Sequence, residues 1–166
     1  MLAGFFAALS ILTNLQDVAS AVSAGDTNAR FDVVGAVTDV NRSKSALFTM
    51  KAAAGCMAFR DVTADRRSLS FKPGNIVRAK GRVSINEYDY PAASCDELSL
   101  MCEGTAPKVT DVPAADLATK ALNGELIRVH GVVRETFRDE IDPKYVYLTL
   151  VDDSFFLTLY SSVDVA

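Results

Sequence analysis

The sequence predicts a mainly β protein with short helices, arranged as one β-rich unit followed by a second, shorter copy of it. Three observations lead there. Apolar and polar residues alternate over short runs such as Leu47–Lys51 and Ile76–Ser84, the period of strands with one buried face. The run Phe31–Val40, FDVVGAVTDV, returns as Ile127–Thr136, IRVHGVVRET, each with a central glycine, Gly35 and Gly131. Turn-forming residues separate the runs, most clearly at Phe71-Lys72-Pro73-Gly74-Asn75.

Residues 1–12, MLAGFFAALSIL, are apolar and uncharged. They fall short of the roughly 20 residues that a membrane-spanning helix needs. They fit the apolar core of a secretory signal, with the small residues Ala19–Ala24 as a cleavage zone but without its positive leading segment. An apolar N-terminal helix and the remainder of a longer export segment are the competing readings. From Leu12 a helix is expected to run to about Ser23, with Asn14 as N-cap and Asp17 three places on. Val109-Thr110-Asp111-Val112 repeats that opening, followed by Pro113 in a first turn and Asn123-Gly124 as a stop.

After each helix come three strands. In the first copy these are Phe31–Val40, Leu47–Lys51 and about Cys56–Asp61; in the second, Ile127–Thr136, Tyr145–Val151 and Phe155–Ser161. The first copy continues through a polar connection, Thr63–Ser70, to the turn, a fourth strand at Ile76–Ser84 and a fifth at Glu97–Cys102. The second copy has no counterpart of these last two. The organisation expected is an apolar segment over 1–11, a first unit with its leading helix over 12–108, and an incomplete second unit with its own leading helix over 109–166. A repeat this long fits tandem domains and not a solenoid.

The net charge is −4, from 17 Lys/Arg and 21 Asp/Glu. It is unevenly spread: residues 30–82 hold eleven Lys/Arg against four Asp/Glu, a local +7. Such a segment reads either as a solvated face or as the mark of an anionic partner. The three cysteines, Cys56, Cys95 and Cys102, make no even-numbered disulfide framework. Within one strand, Cys95 and Cys102 would stand about 23 Å apart, beyond bridging distance. Cys102 shares parity with Leu98 and Leu100 and is expected to be a small buried hydrophobe. No metal-ligand spacing surrounds the single histidine, His130, so neither metal nor cofactor is expected. His130 reads as a solvent-facing strand residue.

Five short strands, a glycine in the first, a connection after the third and a Pro-Gly-Asn turn before the fourth match the five-stranded Greek-key OB-fold, with a plain antiparallel sandwich as the alternative. The fold class expected is therefore tandem five-stranded OB-like barrels, the second truncated after its third strand. LTNLQDV ahead of FDVVGAVTDV, then KPGNIVRAKGRVS, and in the second copy GELIRVHGVVRETFRDEIDPKYVYLTLVDD, together resemble the tandem OB-like domains in the extracytoplasmic N-terminal region of bacterial hybrid sensor histidine kinases. The resemblance covers roughly residues 12–163. It implies a sensing or relay role with neighbouring signalling domains as partners, in the periplasm or tethered to the membrane, and places any kinase chemistry outside these residues.

Residue by residue, Arg78, Lys80 and Arg82 alternate with Val77, Ala79 and Gly81, which sets three positive charges on one strand face. Arg60 lies just upstream. OB-folds hold single-stranded nucleic acid in basic grooves with aromatic stacking platforms. Here Phe48 and Phe59 occupy the relevant strands, but Met50 and Met57 beside them suggest a barrel filling, and no exposed aromatic pair is evident. Arg138, Asp139, Glu140 and Asp142 form a charged segment that could in principle ligate a hard cation, yet it lacks the ligand order of a calcium loop and reads as a charged hairpin. No nucleophile elbow or phosphate loop occurs, so no catalytic residue is expected. The expectation is a non-catalytic binding or signal-relay module with an unknown ligand. The alternative is an OB-fold single-stranded nucleic-acid binder using the basic face of the first unit.

Overall fold

The computed structural model describes residues 11–41, 46–86, 88–113, 116–117, 122, 125–141, 146–152 and 155–161. The first helix is set by its caps. Asn14 is extended (φ −132°, ψ 156°), and its side-chain carbonyl accepts the Asp17 amide at 2.9 Å, so α1 (Leu15–Ala24) starts at Leu15. The Asp17 carboxylate accepts from Asn14 Nδ2 at 2.6 Å and sits at the positive end of the helix dipole. Gly25 ends the helix at φ 66°, a left-handed turn that directs its N–H to Val22 O and that of Asp26 to Ala21 O. Leu15 and Val18 lie on the inner face of α1 and join the core of the β-sheet.

That sheet contains β1 (Ile11–Leu12), β2 (Arg30–Asn41), β3 (Leu47–Ala52), β4 (Gly55–Asp61), β5 (Ile76–Ile85) and β6 (Pro91–Cys102). The order is β1-β2-β3-β4-β6-β5, and β5 returns to pair with β2. Five strands thus close on themselves. All the ring pairings are antiparallel except β4–β6, which is parallel. Counting from β2, the ring runs first, second, third, fifth, fourth and back to first, the Greek-key connectivity of an OB-fold barrel. β1 lies parallel against the start of β2, pairing Leu12 with Phe31. The interior is aromatic: Phe59 meets Phe31 edge-on at 5.5 Å and Phe48 in a stack at 5.6 Å.

Between β4 and β5 the Thr63–Ser70 connection contains one 3-10 turn, Arg67–Ser70. Asp61 organises it. This buried carboxylate accepts from Thr63 N (2.9 Å), Thr63 Oγ1 (2.5 Å) and Ser68 N (2.7 Å), so its charge is met by three donors. The Pro-Gly-Asn turn then needs glycine twice over. Gly74 has φ 95°, and a Cβ there would lie 2.7 Å from Ala106 N.

Two expectations about β6 are corrected. It begins at Pro91, six residues before Glu97, because it pairs with β5 from Ile85 onward. Cys102 is exposed, although parity with Leu98 predicted burial. The register explains this. Lys80 faces Glu97 but Gly81 faces Cys95, leaving Asp96 as an extra residue; a second shift leaves Met101 extra. Each bulge inverts the alternation, so Cys95 and Leu98 both point inward at a spacing of three.

The chain divides into two compact units, Met1–Lys108 with Asn123–Leu126, and Val109–Leu122 with Ile127–Ala166. The second contains β7 (Thr110–Asp111) parallel to β8 (Ile127–Arg128), and an antiparallel sheet of β9 (Val132–Arg138), β10 (Val146–Asp152) and β11 (Phe155–Ser161) in the order β9-β10-β11. The single bent strand expected over Ile127–Thr136 is therefore two strands. β8 pairs with β7 and β9 with β10, while Val129–Gly131 joins neither ladder. Most of the expected second helix lies outside the described residues. Among the described residues no helix is long and apolar enough to cross a membrane.

Gly81 is the tightest point of the barrel, since a Cβ there would fall 1.9 Å from Ser94 O and 2.9 Å from Cys95 Cα. A Cβ on Gly131 would meet nothing nearer than Val151 O at 3.3 Å. In urea unfolding, Gly81→Ala is expected to lose about 2 kcal/mol or more, the scale of core overpacking. Gly131→Ala should lose less than about 1 kcal/mol.

Candidate ligand groove and basic strand face

Arg78, Lys80 and Arg82 project from β5 because Val77, Ala79 and Val83 point into the barrel. The positive face exists, but two of its three charges are occupied. Arg78 holds Asp32 of β2 in a two-pronged pair, at 2.7 Å from Nε and 2.6 Å from Nη2. Lys80 Nζ meets Glu97 Oε1 of β6 at 2.7 Å. The Arg78 hydrogen bond holds the Asp32 carboxyl below its usual value of 3.8, against the opposing effect of burial. Arg82 makes no ion pair among the described residues, and the residue directly across from it on β2 is another arginine, Arg30.

Arg60 belongs elsewhere. It stands on β4 between the buried Phe59 and Asp61 and lines a groove of about 360 Å³. The groove runs between Leu47 on β3, Ala58 and Arg60 on β4, and the loop that joins β5 to β6, with Pro91 and Val22 of α1 closing its sides. That loop is held by Asn86. Its side-chain Oδ1 accepts the amides of Tyr88 (2.9 Å) and Tyr90 (3.0 Å), and its own amide donates to Tyr90 O (2.9 Å). Asp89 takes a left-handed φ of 61° to complete the turn. The result displays two tyrosines to solvent, Tyr88 at 71% and Tyr90 at 68% exposure, with Tyr88 at the groove. The expectation of no exposed aromatic pair is thus corrected. The signal was present as Asn86-Glu87-Tyr88-Asp89-Tyr90-Pro91: an Asx-type turn opener followed by aromatics two residues apart. The phenylalanines first considered as stacking platforms, Phe48 and Phe59, are buried in the core.

A larger and more open depression of about 530 Å³ lies beside the 3-10 turn, lined by Arg66, Arg67, Ser70 and Leu100. Arg67 there is engaged with Asp65 Oδ2 at 2.9 Å and Leu98 O at 3.3 Å, and no exposed aromatic lines it. The groove at Tyr88 has the better chemistry for a ligand.

In the second unit Arg138 ends β9, Asp139 and Glu140 follow it, and Asp142 lies outside the described residues. Asp139 accepts from Ile141 N at 2.8 Å and from Tyr147 Oη at 2.9 Å, contacts that shape the loop. His130 is exposed as expected but lies just outside the strand, 3.2 Å from Asp111. Among the described residues no group of three or more His, Cys, Asp or Glu is placed to hold a metal ion.

The cysteines differ sharply in environment. Burial raises the Cys56 thiol to about 11, helped by Glu125, whose carboxylate accepts from its sulfur at 3.5 Å and is itself held by Lys51. Burial also holds the Cys95 thiol well above its usual range. Only the thiolate attacks disulfides and alkylating agents. Under native conditions near pH 8, Cys102 should label first with Ellman's reagent, Cys56 much more slowly, and Cys95 only on unfolding, as peptide mass spectrometry would show. Asp32 gives a pH test. Its lowered folded-state pKa contributes stability that is present above about 3.8 and lost as pH falls through the folded value. Asp32→Asn should therefore be less stable than wild type near neutral pH, and the gap should close in strong acid.

No known family profile matches the chain, and no curated protein matches it. Among solved structures, a chain of the S. pombe Stn1–Ten1 complex is similar at 14% identity and a TM-score of 0.37. The match covers 45% of this chain and 59% of that one. So slight a likeness carries no functional argument, and the OB-fold assignment rests on the strand order of the barrel itself.

Proposed function

We propose that the first unit is a non-catalytic binding module and that its groove takes single-stranded nucleic acid. One observation carries this reading: Tyr88 is held at an apolar groove by an Asn86-braced loop, with the Arg60 guanidinium in the same lining. Every base offers a flat π face to such a ring, and stacking is worth about 1–3 kcal/mol per base. Because the loop is fixed by backbone hydrogen bonds, little ordering cost falls on binding. Arg60 supplies positive charge for phosphate oxygens at the groove's edge. With Arg78 and Lys80 engaged by carboxylates and a chain charge of −4, long-range attraction to a polyanion is weak, so stacking contributes more than charge.

A second reading keeps the module and changes its ligand. The repeat of a short parallel bridge ahead of each set of strands, β1–β2 and β7–β8, favours a tandem relay module of the kind the sensor-region resemblance implies, extracytoplasmic and responsive to a small molecule. The two readings separate cleanly. Fluorescence anisotropy with a labelled thymidine strand of about fifteen nucleotides, near the upper site size of one OB-fold, should show binding at low salt. Tyr88→Ala should weaken it by about fivefold or more and Tyr88→Phe should retain it. Absence of binding at low salt would remove the nucleic-acid reading. A melting-temperature rise with a small molecule, abolished by Tyr88→Ala, would then support the relay module.

A further inference from the structure

We infer that Arg30 and Arg82 form a second contact site, a phosphate-binding pair on the outer face of the barrel that continues the groove. This rests on the nucleic-acid reading for the source of the phosphates, but its geometry stands alone. Arg30 and Arg82 are directly opposite one another on the antiparallel pair β2–β5, and both are exposed. Like charges at such a position repel. The carboxylates nearest along the same face do not relieve them: Asp32 is held by Arg78 and Glu97 by Lys80. Neither arginine makes an ion pair or side-chain hydrogen bond among the described residues.

The register extends this pair across the barrel. Arg82 is level with Ser94 of β6, and Ser94 is level with Arg60 of β4. Ser94 pairs directly with Arg82 and so shares its side of the sheet, but at 6% exposure it is buried between the strands. Its hydroxyl is engaged by that of Ser84 at 2.7 Å, two residues beyond Arg82 on β5. Arg30 and Arg82 on one side of the buried Ser94 and Arg60 on the other therefore stand level across four strands, about 14 Å from end to end at the usual strand spacing. One end of that row is the groove residue Arg60. The two guanidinium forks of Arg30 and Arg82, with no counter-charge on either, suit phosphoryl oxygens. A chain whose bases stack at Tyr88 can lay its backbone along this row, and the guanidiniums reduce their mutual repulsion by sharing the anion.

Two measurements on the whole chain test the pair and its source. The first is thermal melting in sodium tripolyphosphate against sodium chloride of equal ionic strength. Wild type should gain several degrees from the polyphosphate, and the Arg30→Gln Arg82→Gln double variant should lose most of that gain while melting in chloride no lower than wild type. An equal gain in both proteins overturns the pair. The second is the salt dependence of oligonucleotide binding. Each single variant, Arg30→Gln or Arg82→Gln, should reduce the slope of log affinity against log salt by about 0.7, the single-strand value per phosphate contact. Tyr88→Ala should lower affinity with the slope unchanged. Oligonucleotide binding with an unaltered slope in both arginine variants would overturn the proposed path. A polyphosphate effect that depends on the arginines, without oligonucleotide binding, would keep the pair, assign it a free polyphosphate, and remove the nucleic-acid reading of the groove.

Discussion

Everything in the first unit depends on β2 being hydrogen-bonded along both edges. Its first part, Arg30–Ala36, pairs with β5, and its second part, Ala36–Asn41, with β3. One strand thus closes the sheet, and it must change partners near Ala36. Gly35 lies beside the change, where a Cβ would come within 2.8 Å of Lys51 O, so the absence of a side chain is what lets β3 approach. The extra residue Thr38 then bends the strand. The Pro-Gly-Asn turn fastens the bend from outside: Val37 N donates to Asn75 O and Gly74 N to Val37 O, both at 2.8 Å. With that corner fixed, Phe31 from one half of β2 and Val37 from the other face the same core as Phe48 and Phe59. The helix is a consequence as well, because Leu15 and Val18 have a core to enter only once the ring is closed.

Features that depend on neighbouring residues in the chain were legible in the sequence. The Asn14 cap, the strand bounds of β2 to β5, the turn at Gly74 and the outward set of Arg78, Lys80 and Arg82 all follow from local chemistry or from a period of two. What misled was anything set by pairing between distant segments. Parity gave the wrong face for Cys102 because the bulge at Met101 depends on the register with β5, which the sequence of β6 alone does not contain. The start of β6 was hidden for a similar reason: Pro91-Ala92-Ala93-Ser94 has low strand propensity, and its ladder with Ser84 and Ile85 supplies what propensity lacks. The site was half legible. Its cation could be named, but its aromatic sits in a loop whose conformation depends on the Asn86 side chain, while the phenylalanines at strand positions turned inward.

The local charge of +7 over residues 30–82 likewise means less in three dimensions than along the chain. Asp32 comes from inside that segment and Glu97 from outside it, yet each stands beside a β5 cation on an adjoining strand. Exposed pairs of this kind add little stability, about 0–1 kcal/mol, so their main effect is on what the face can attract. They neutralise the middle and one end of the β5 row. The remaining end is at Arg82, where the cross-strand neighbours are Arg30 and Ser94 in place of a carboxylate. The β5 cation left without a carboxylate is therefore the one nearest the Asn86 loop, whose Asn86 and Tyr88 line the groove.

The two copies of the glycine strand show how far a repeated sequence can diverge in environment. FDVVGAV and IRVHGVV share a pattern, and each is preceded by a two-residue parallel bridge, β1–β2 in one case and β7–β8 in the other. In the first copy the strand has partners on both edges, alternate side chains are buried, and its glycine has backbone within 2.8 Å of where a Cβ would be. In the second, β9 pairs only with β10 among the described residues, and every residue of β9 is exposed, Val132 and Phe137 included. Its apolar residues therefore cannot be explained by burial within the described sheet. Phe137 instead stacks on Tyr147 of β10 at 4.9 Å, a cross-strand contact on an open face. The same alternation of residues specifies a strand in both places, but whether that strand is a barrel stave or an exposed edge is decided by the second partner, and for β2 that partner is β5.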